Sequence, residues 1–68
     1  MNLSSTEAIQ AMKDGKKVAH DLFCAGEFAT SDPNGLVITL EDGVRQLATE
    51  FWDMRTADYW QKDWFIVD

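Results

Sequence analysis

Apolar residues recur along this chain with two different periods, and the change of period marks out its elements. At the start, Leu3, Ala8, Ile9 and Met12 follow helical spacing, which predicts a helix with one face turned to a core. Ser4 to Glu7 spells the S-x-x-E capping box, in which the serine oxygen accepts a first-turn backbone N–H and the glutamate reaches back to the cap. Asp14-Gly15 stops the helix, because glycine enters the left-handed cap conformation without a Cβ clash. Residues 16–23 then read as extended.

A second extended segment covers residues 27–30 and is closed by Ser31-Asp32-Pro33-Asn34-Gly35, which is dense in turn chemistry. Leu36-Val37-Ile38-Thr39-Leu40 is rich in β-branched residues and bounded by turn signals, so it reads as a strand, with Glu41-Asp42-Gly43 making the next reversal. Residues 44–52 carry two signals. Val44, Leu47, Ala48 and Phe51 fit a helix period, whereas the preceding Asp-Gly turn asks for a hairpin partner; strand is the reading adopted. Thr56 can cap a short helical turn through Trp60 or Gln61, and Trp64 to Val67 closes the chain as a terminal strand. The expected fold is a single α+β domain over residues 1–68. Its N-terminal helix packs on an antiparallel sheet of about four or five strands, with a short helical turn before the C-terminal strand.

Composition adds a demand on this fold. Folding a chain of 68 residues removes only ~60% of the surface that the unfolded chain exposes, so the core needs a supplement. Cys24 is the only cysteine and His20 the only histidine, which rules out an internal disulfide and argues against a structural zinc site. Self-association is the supplement left, and 46% hydrophobic residues suffice for an apolar interface. A homodimer or homotetramer is expected. The formal charge of −6 argues against non-specific nucleic-acid binding. No stretch reaches the ~18 apolar residues of a membrane span, and no secretory layout opens the chain. With a free cysteine, these features point to a cytoplasmic protein.

Catalytic chemistry is sparse. His20 and Cys24 suggest a base and a nucleophile by type, but in an extended segment residues four apart lie ~13 Å from each other, too far for a hydrogen bond. Cys24 reads better as a small, partly buried apolar residue. Glu41-Asp42 is turn chemistry, and Asp58 suits a helix N-terminus. Lys13, Lys16 and Lys17 sit where cations complement a helix C-terminus. No metal, cofactor or catalytic residue is called for. A binding protein fits better, since aromatic rings stack on planar ligands while cations and N–H donors take phosphates. Phe23, His20, Trp52 and Lys17 are the candidate ligand-binding residues. Phe23 and Trp52 can equally be core or interface fillers, and His20 a satisfied structural residue. Six of the eight aromatic residues fall between Phe51 and Phe65, and core is the first expectation for Trp60 and Trp64.

The two ends of the chain also carry a resemblance. Leu3-x-x-x-Glu7-Ala8-Ile9-x-x-Met12-Lys13-x-Gly15-Lys16-Lys17-Val18-Ala19, followed by Phe23, resembles the opening of the second Thoeris anti-defence family of small phage proteins. Trp52 and then Ala57-Asp58-Tyr59-Trp60-x-x-Asp63-Trp64-x-Ile66-Val67 is similar to that family's C-terminus. The resemblance implies a helix on an antiparallel sheet, assembled as dimers or dimers of dimers. It further implies a sponge, which sequesters cyclic nucleotide or cyclic ADP-ribose-type immune signals between protomers without cleaving them. The family usually places tryptophan at the position of Phe23 and arginine at that of His20, so this chain has a smaller ring and an imidazole in place of a fixed charge. An acidic inhibitor that binds a host defence effector is the alternative from another class.

Overall fold

A computed structural model describes residues 2–67. The protein is α+β. Helix α1 (Ser5–Lys13) leads into strand β1 (Lys17–His20), then β2 (Ala29–Ser31), β3 (Val37–Leu40) and β4 (Arg45–Leu47); helix α2 (Ala48–Asp53) and a 3-10 turn (Asp58–Gln61) return the chain to β5 (Trp64–Val67). The strands form one antiparallel sheet in the order β4-β3-β2-β1-β5.

Both ends of α1 use the predicted chemistry. The Ser4 side chain accepts from the Glu7 N–H and the Glu7 carboxylate accepts from the Ser4 N–H, so the capping box is complete. Such a cap contributes about 1 kcal/mol. At the other end Gly15 has φ of 89°, while Lys16 N–H donates to Ala11 O and Gly15 N–H to Met12 O. This pair of bonds is the Schellman arrangement, which turns the chain directly into β1. Leu3, ahead of the cap, exchanges backbone bonds with Trp64 at 2.6 and 3.1 Å and so closes part of the outer edge of β5.

Residues 44–52 divide between their two signals. The hairpin signal holds for β4, whose Gln46 pairs with Ile38. Helix α2 then starts at Ala48, correcting the expectation of a continuous strand to Trp52. The reason is topological: β5 lies at the opposite edge of the sheet from β4, so the chain must cross back over one face, and a helix does so while delivering Phe51 to the core. A second correction concerns the 3-10 turn, which starts after Ala57 without any side-chain cap, so Thr56 does not cap it.

Both helices cover the same face of the sheet. Ala8, Ala11 and Met12 of α1 and Phe51 of α2 meet Val18, Ala29, Ile38 and Trp64 there. Trp64 is fully buried, as expected, and its indole N–H donates to Trp60 O at 2.8 Å. Trp60 itself is only partly buried at the margin of this core. The second face carries no helix. Residues 21–27 form a loop at one end of it.

Candidate functional site

The strand alternation decides which candidate residues can meet. Val18 and His20 point from β1 to the helical face, whereas Lys17 and Ala19 point to the other. On β5 the partners follow suit, with His20 opposite Trp64 and Ala19 opposite Phe65.

His20 is a structural pin. It is 2% exposed and lies against Trp60 and Trp64, with ring centroids 4.4 and 4.9 Å away. Its Nδ1 accepts the Leu22 N–H at 3.0 Å, which fixes the proton on Nε2. Nε2 donates to the carbonyls of Tyr59 and Lys62 at 2.8 and 2.7 Å. Both nitrogens are spent on backbone groups, so His20 ties the 3-10 turn to the end of β1 and has no polar atom left for a ligand or for Cys24. Cys24 is exposed, which corrects its expected partial burial. It lies in the loop, where Glu27 accepts its backbone N–H at 2.7 Å instead of the chain folding it inward.

Trp52 stands on α2 with its ring 5.0 Å from Phe51 and 5.3 Å from Trp64, on the helical side of the sheet. Lys17 stands on the opposite side, its Nζ 4.8 Å from the centroid of Phe28. The sheet therefore separates these two candidates. Phe23 reaches both environments. Its ring lies 5.5 Å from Trp64 in an edge-on contact, and it also borders an open cleft of about 310 Å³.

The cleft lies where the 21–27 loop meets the open sheet face. Ala19, Phe65 and Val67 contribute from the strands, and Asp21, Phe23, Cys24 and Glu27 from the loop. Phe65 lies opposite Ala19 in the strand register, and Phe23 lines the same cleft from the loop. The polar rim consists of carboxylates. Sequence reasoning missed Phe65, although the signal was there: with Trp64 inward, strand alternation turns Phe65 to the other face.

Behind Phe23 sits a second residue to which the sequence reading gives no role in a site. The Arg55 guanidinium lies 3.9 Å from the Phe51 centroid, 5.2 Å from that of Trp60 and 5.9 Å from that of Phe23. Its Nη1 donates to Phe51 O at 2.9 Å, while its buried Nε has no hydrogen-bond partner. Burial lowers the Arg55 pKa from its ordinary value, and the Glu27 carboxylate raises it in part. Arg55 thus joins the end of α2 to the aromatic group that supports the loop. The signal in the sequence was the one arginine inside the aromatic-rich segment from Phe51 to Phe65.

No family model, curated protein or solved structure matches this chain.

Proposed function

We propose that this protein is a non-catalytic binding protein of the second Thoeris anti-defence type, which holds a cyclic nucleotide or cyclic ADP-ribose-type immune signal without cleaving it. The observation that carries the reading is the cleft that Phe23 and Phe65 line together, one from the loop and one from β5. Two aromatic rings in one cleft suit a planar base, because stacking on aromatic rings contributes ~1–3 kcal/mol per base. The helix-on-sheet architecture is also the one that the resemblance implies.

The size of the cleft supports self-association. At about 310 Å³ it lies at the small end of ligand pockets, roughly 300–1,000 Å³, with room for one base and its sugar rather than a whole cyclic dinucleotide. The remainder of such a ligand extends beyond the cleft, where a second protomer can enclose it. Of the sequence-derived candidates, Phe23 stacks on the ligand and Lys17 approaches it from the same sheet face. His20 and Trp52 support Phe23 from behind through the aromatic group that surrounds Trp64.

Calorimetric titration with cyclic ADP-ribose and cyclic di-AMP tests this reading. Binding by the native protein and a loss of about tenfold or more in Phe65→Ala, whose ring is partly exposed, are expected. Equal affinity in the variant would remove the cleft from the site.

One observation favours the alternative, an acidic inhibitor of a protein effector. Asp21, Glu27, Glu41 and Asp42 all fall at the same end of the antiparallel sheet. A pull-down that yields a protein partner with steep salt dependence, and no nucleotide binding, would select it.

A further inference from the structure

The strand register lines up four polar residues on the open sheet face. Arg45 pairs with Thr39 and Thr39 with Thr30, and the pairing of Val18 with Ala29 puts Lys17 across from Thr30. These residues form one row running straight across β4, β3, β2 and β1. At ~4.8 Å per strand the row is about 14 Å long between its end Cα atoms. Lys17 and Arg45 occupy the two ends, and both are exposed.

We propose that this row binds the phosphate groups of a small nucleotide whose base lies in the neighbouring cleft. The placement of the base rests on the reading given above; the phosphate row rests on the register and on charge.

Charge first singles out this face. The chain carries twelve acidic and six basic residues, yet among the described residues the five strands hold no Asp or Glu, their two cations, Lys17 and Arg45, both stand on this face, and Glu50 of α2 lies beside Arg45 at its outer margin. In a protein of net charge −6, a strip whose strand residues are neutral except for a cation at each end is the part of the sheet that an anion can approach. Stacking the face on itself about a two-fold axis through the row sets the lysine end of one row against the arginine end of the other. That like-charge contact disfavours a second copy seated directly on the row without an anion between the two.

Charge also orients the ligand. The loop end of the cleft presents Asp21 and Glu27, which repel phosphate. Lys17 lies two residues from Ala19 along β1, roughly 7 Å away, in the direction away from those carboxylates. Phosphates attached to a base in the cleft are therefore directed onto the row. Lys17 is held at the face by its contact with the Phe28 ring, and its ammonium keeps donors for an anion. The Thr30 hydroxyl donates to Lys16 O at 3.1 Å, which leaves Thr39 as the row's available hydroxyl donor. Arg45 supplies the planar fork suited to two phosphate oxygens.

The test uses the full chain labelled with nitrogen-15, titrated separately with sodium tripolyphosphate and with adenosine. Tripolyphosphate is expected to shift the amides of Lys17, Thr30, Thr39 and Arg45, and the Lys17→Gln/Arg45→Gln double variant to bind it about tenfold more weakly or worse. Both positions are exposed, so the variant keeps the native spectrum. Adenosine is expected to shift Ala19 and Phe23 in the native protein and the variant alike. Tripolyphosphate shifts confined to Lys13 and Lys16, or equal affinity in the variant, would overturn the row. Tighter binding of decathymidylate than of tripolyphosphate would also overturn it, by making the face a nucleic-acid surface. A row that responds while adenosine moves nothing would leave the phosphate site standing and remove the base from the cleft.

Discussion

The two faces of the sheet are built from the same strands and serve opposite purposes. The helical face holds Val18, Ala29, Ile38, Phe51 and Trp64 at full burial, and His20, the one buried polar side chain among the described residues, has both nitrogens satisfied. The open face holds Lys17, Thr30, Thr39 and Arg45 in a row, beside Phe65 and Leu47 at 36% and 54% exposure. A residue's function therefore depends on its parity along the strand. Lys17 is exposed on the open face, whereas Val18 and His20 on the other face hold the fold together.

Truncation on either face breaks this comparison most sharply. Phe51→Ala empties a fully buried site and is expected to cost about 3–5 kcal/mol, a large part of the stability of so small a domain. Phe65→Ala, on the open face, is expected to cost about 1 kcal/mol or less while lowering nucleotide affinity. Urea denaturation of both variants checks the pair, and equal costs would show that the open face is part of the core.

His20 sharpens the distinction between a structural and a ligand-binding imidazole. His20→Ala removes a buried ring and leaves the carbonyls of Tyr59 and Lys62 without their donor, at an expected cost of about 2–4 kcal/mol. His20→Phe keeps most of the ring volume but still loses the bonds. If it were as stable as the native protein, the imidazole would not be pinning the turn.

The smallest expected effect lies in the β2–β3 turn. Asp32 accepts the backbone N–H groups of Leu36 and Val37 at 2.8 and 3.3 Å, and the bond from Leu36 leads in holding its pKa below the ordinary aspartate value. A depressed folded pKa means that the contribution is present above the unfolded value and is lost as pH falls through the folded one. Stability should therefore decline on acidification below the ordinary aspartate range. Asp32→Asn should weaken the protein at neutral pH and flatten that decline in pH-dependent denaturation curves.

Local signals in the sequence proved dependable where local chemistry sets the structure. The capping box, the Gly15 stop and the β-branched strand at residues 37–40 needed no tertiary information. The boundary within residues 44–52 did need it, because the return of the chain to the far edge, and not local preference, ends β4 and starts α2. The site was legible only by halves. Phe23, chosen by type, borders the cleft, but Trp52 and Lys17 are grouped with it although the sheet divides them. Phe65 was overlooked because the aromatic-rich end of the chain reads as core until strand parity is applied, and Arg55 because its place beside Phe51 and Trp60 is set by the turn after α2. The exposure of Cys24 follows from a loop held open by Glu27, which no periodicity encodes.

The central claim is that the protein holds an intact small nucleotide. Its most direct test is thermal unfolding of the native protein against a panel of cyclic di- and trinucleotides and cyclic ADP-ribose isomers, with mass spectrometry of the ligand recovered after denaturation. A ligand at a hundredfold excess over its dissociation constant adds ~2.7 kcal/mol, which raises the midpoint by several degrees in a domain of this size. The account predicts such a rise for at least one member of the panel, with the recovered ligand unchanged in mass. An unchanged midpoint across the panel, or recovery of a cleaved ligand, would contradict it.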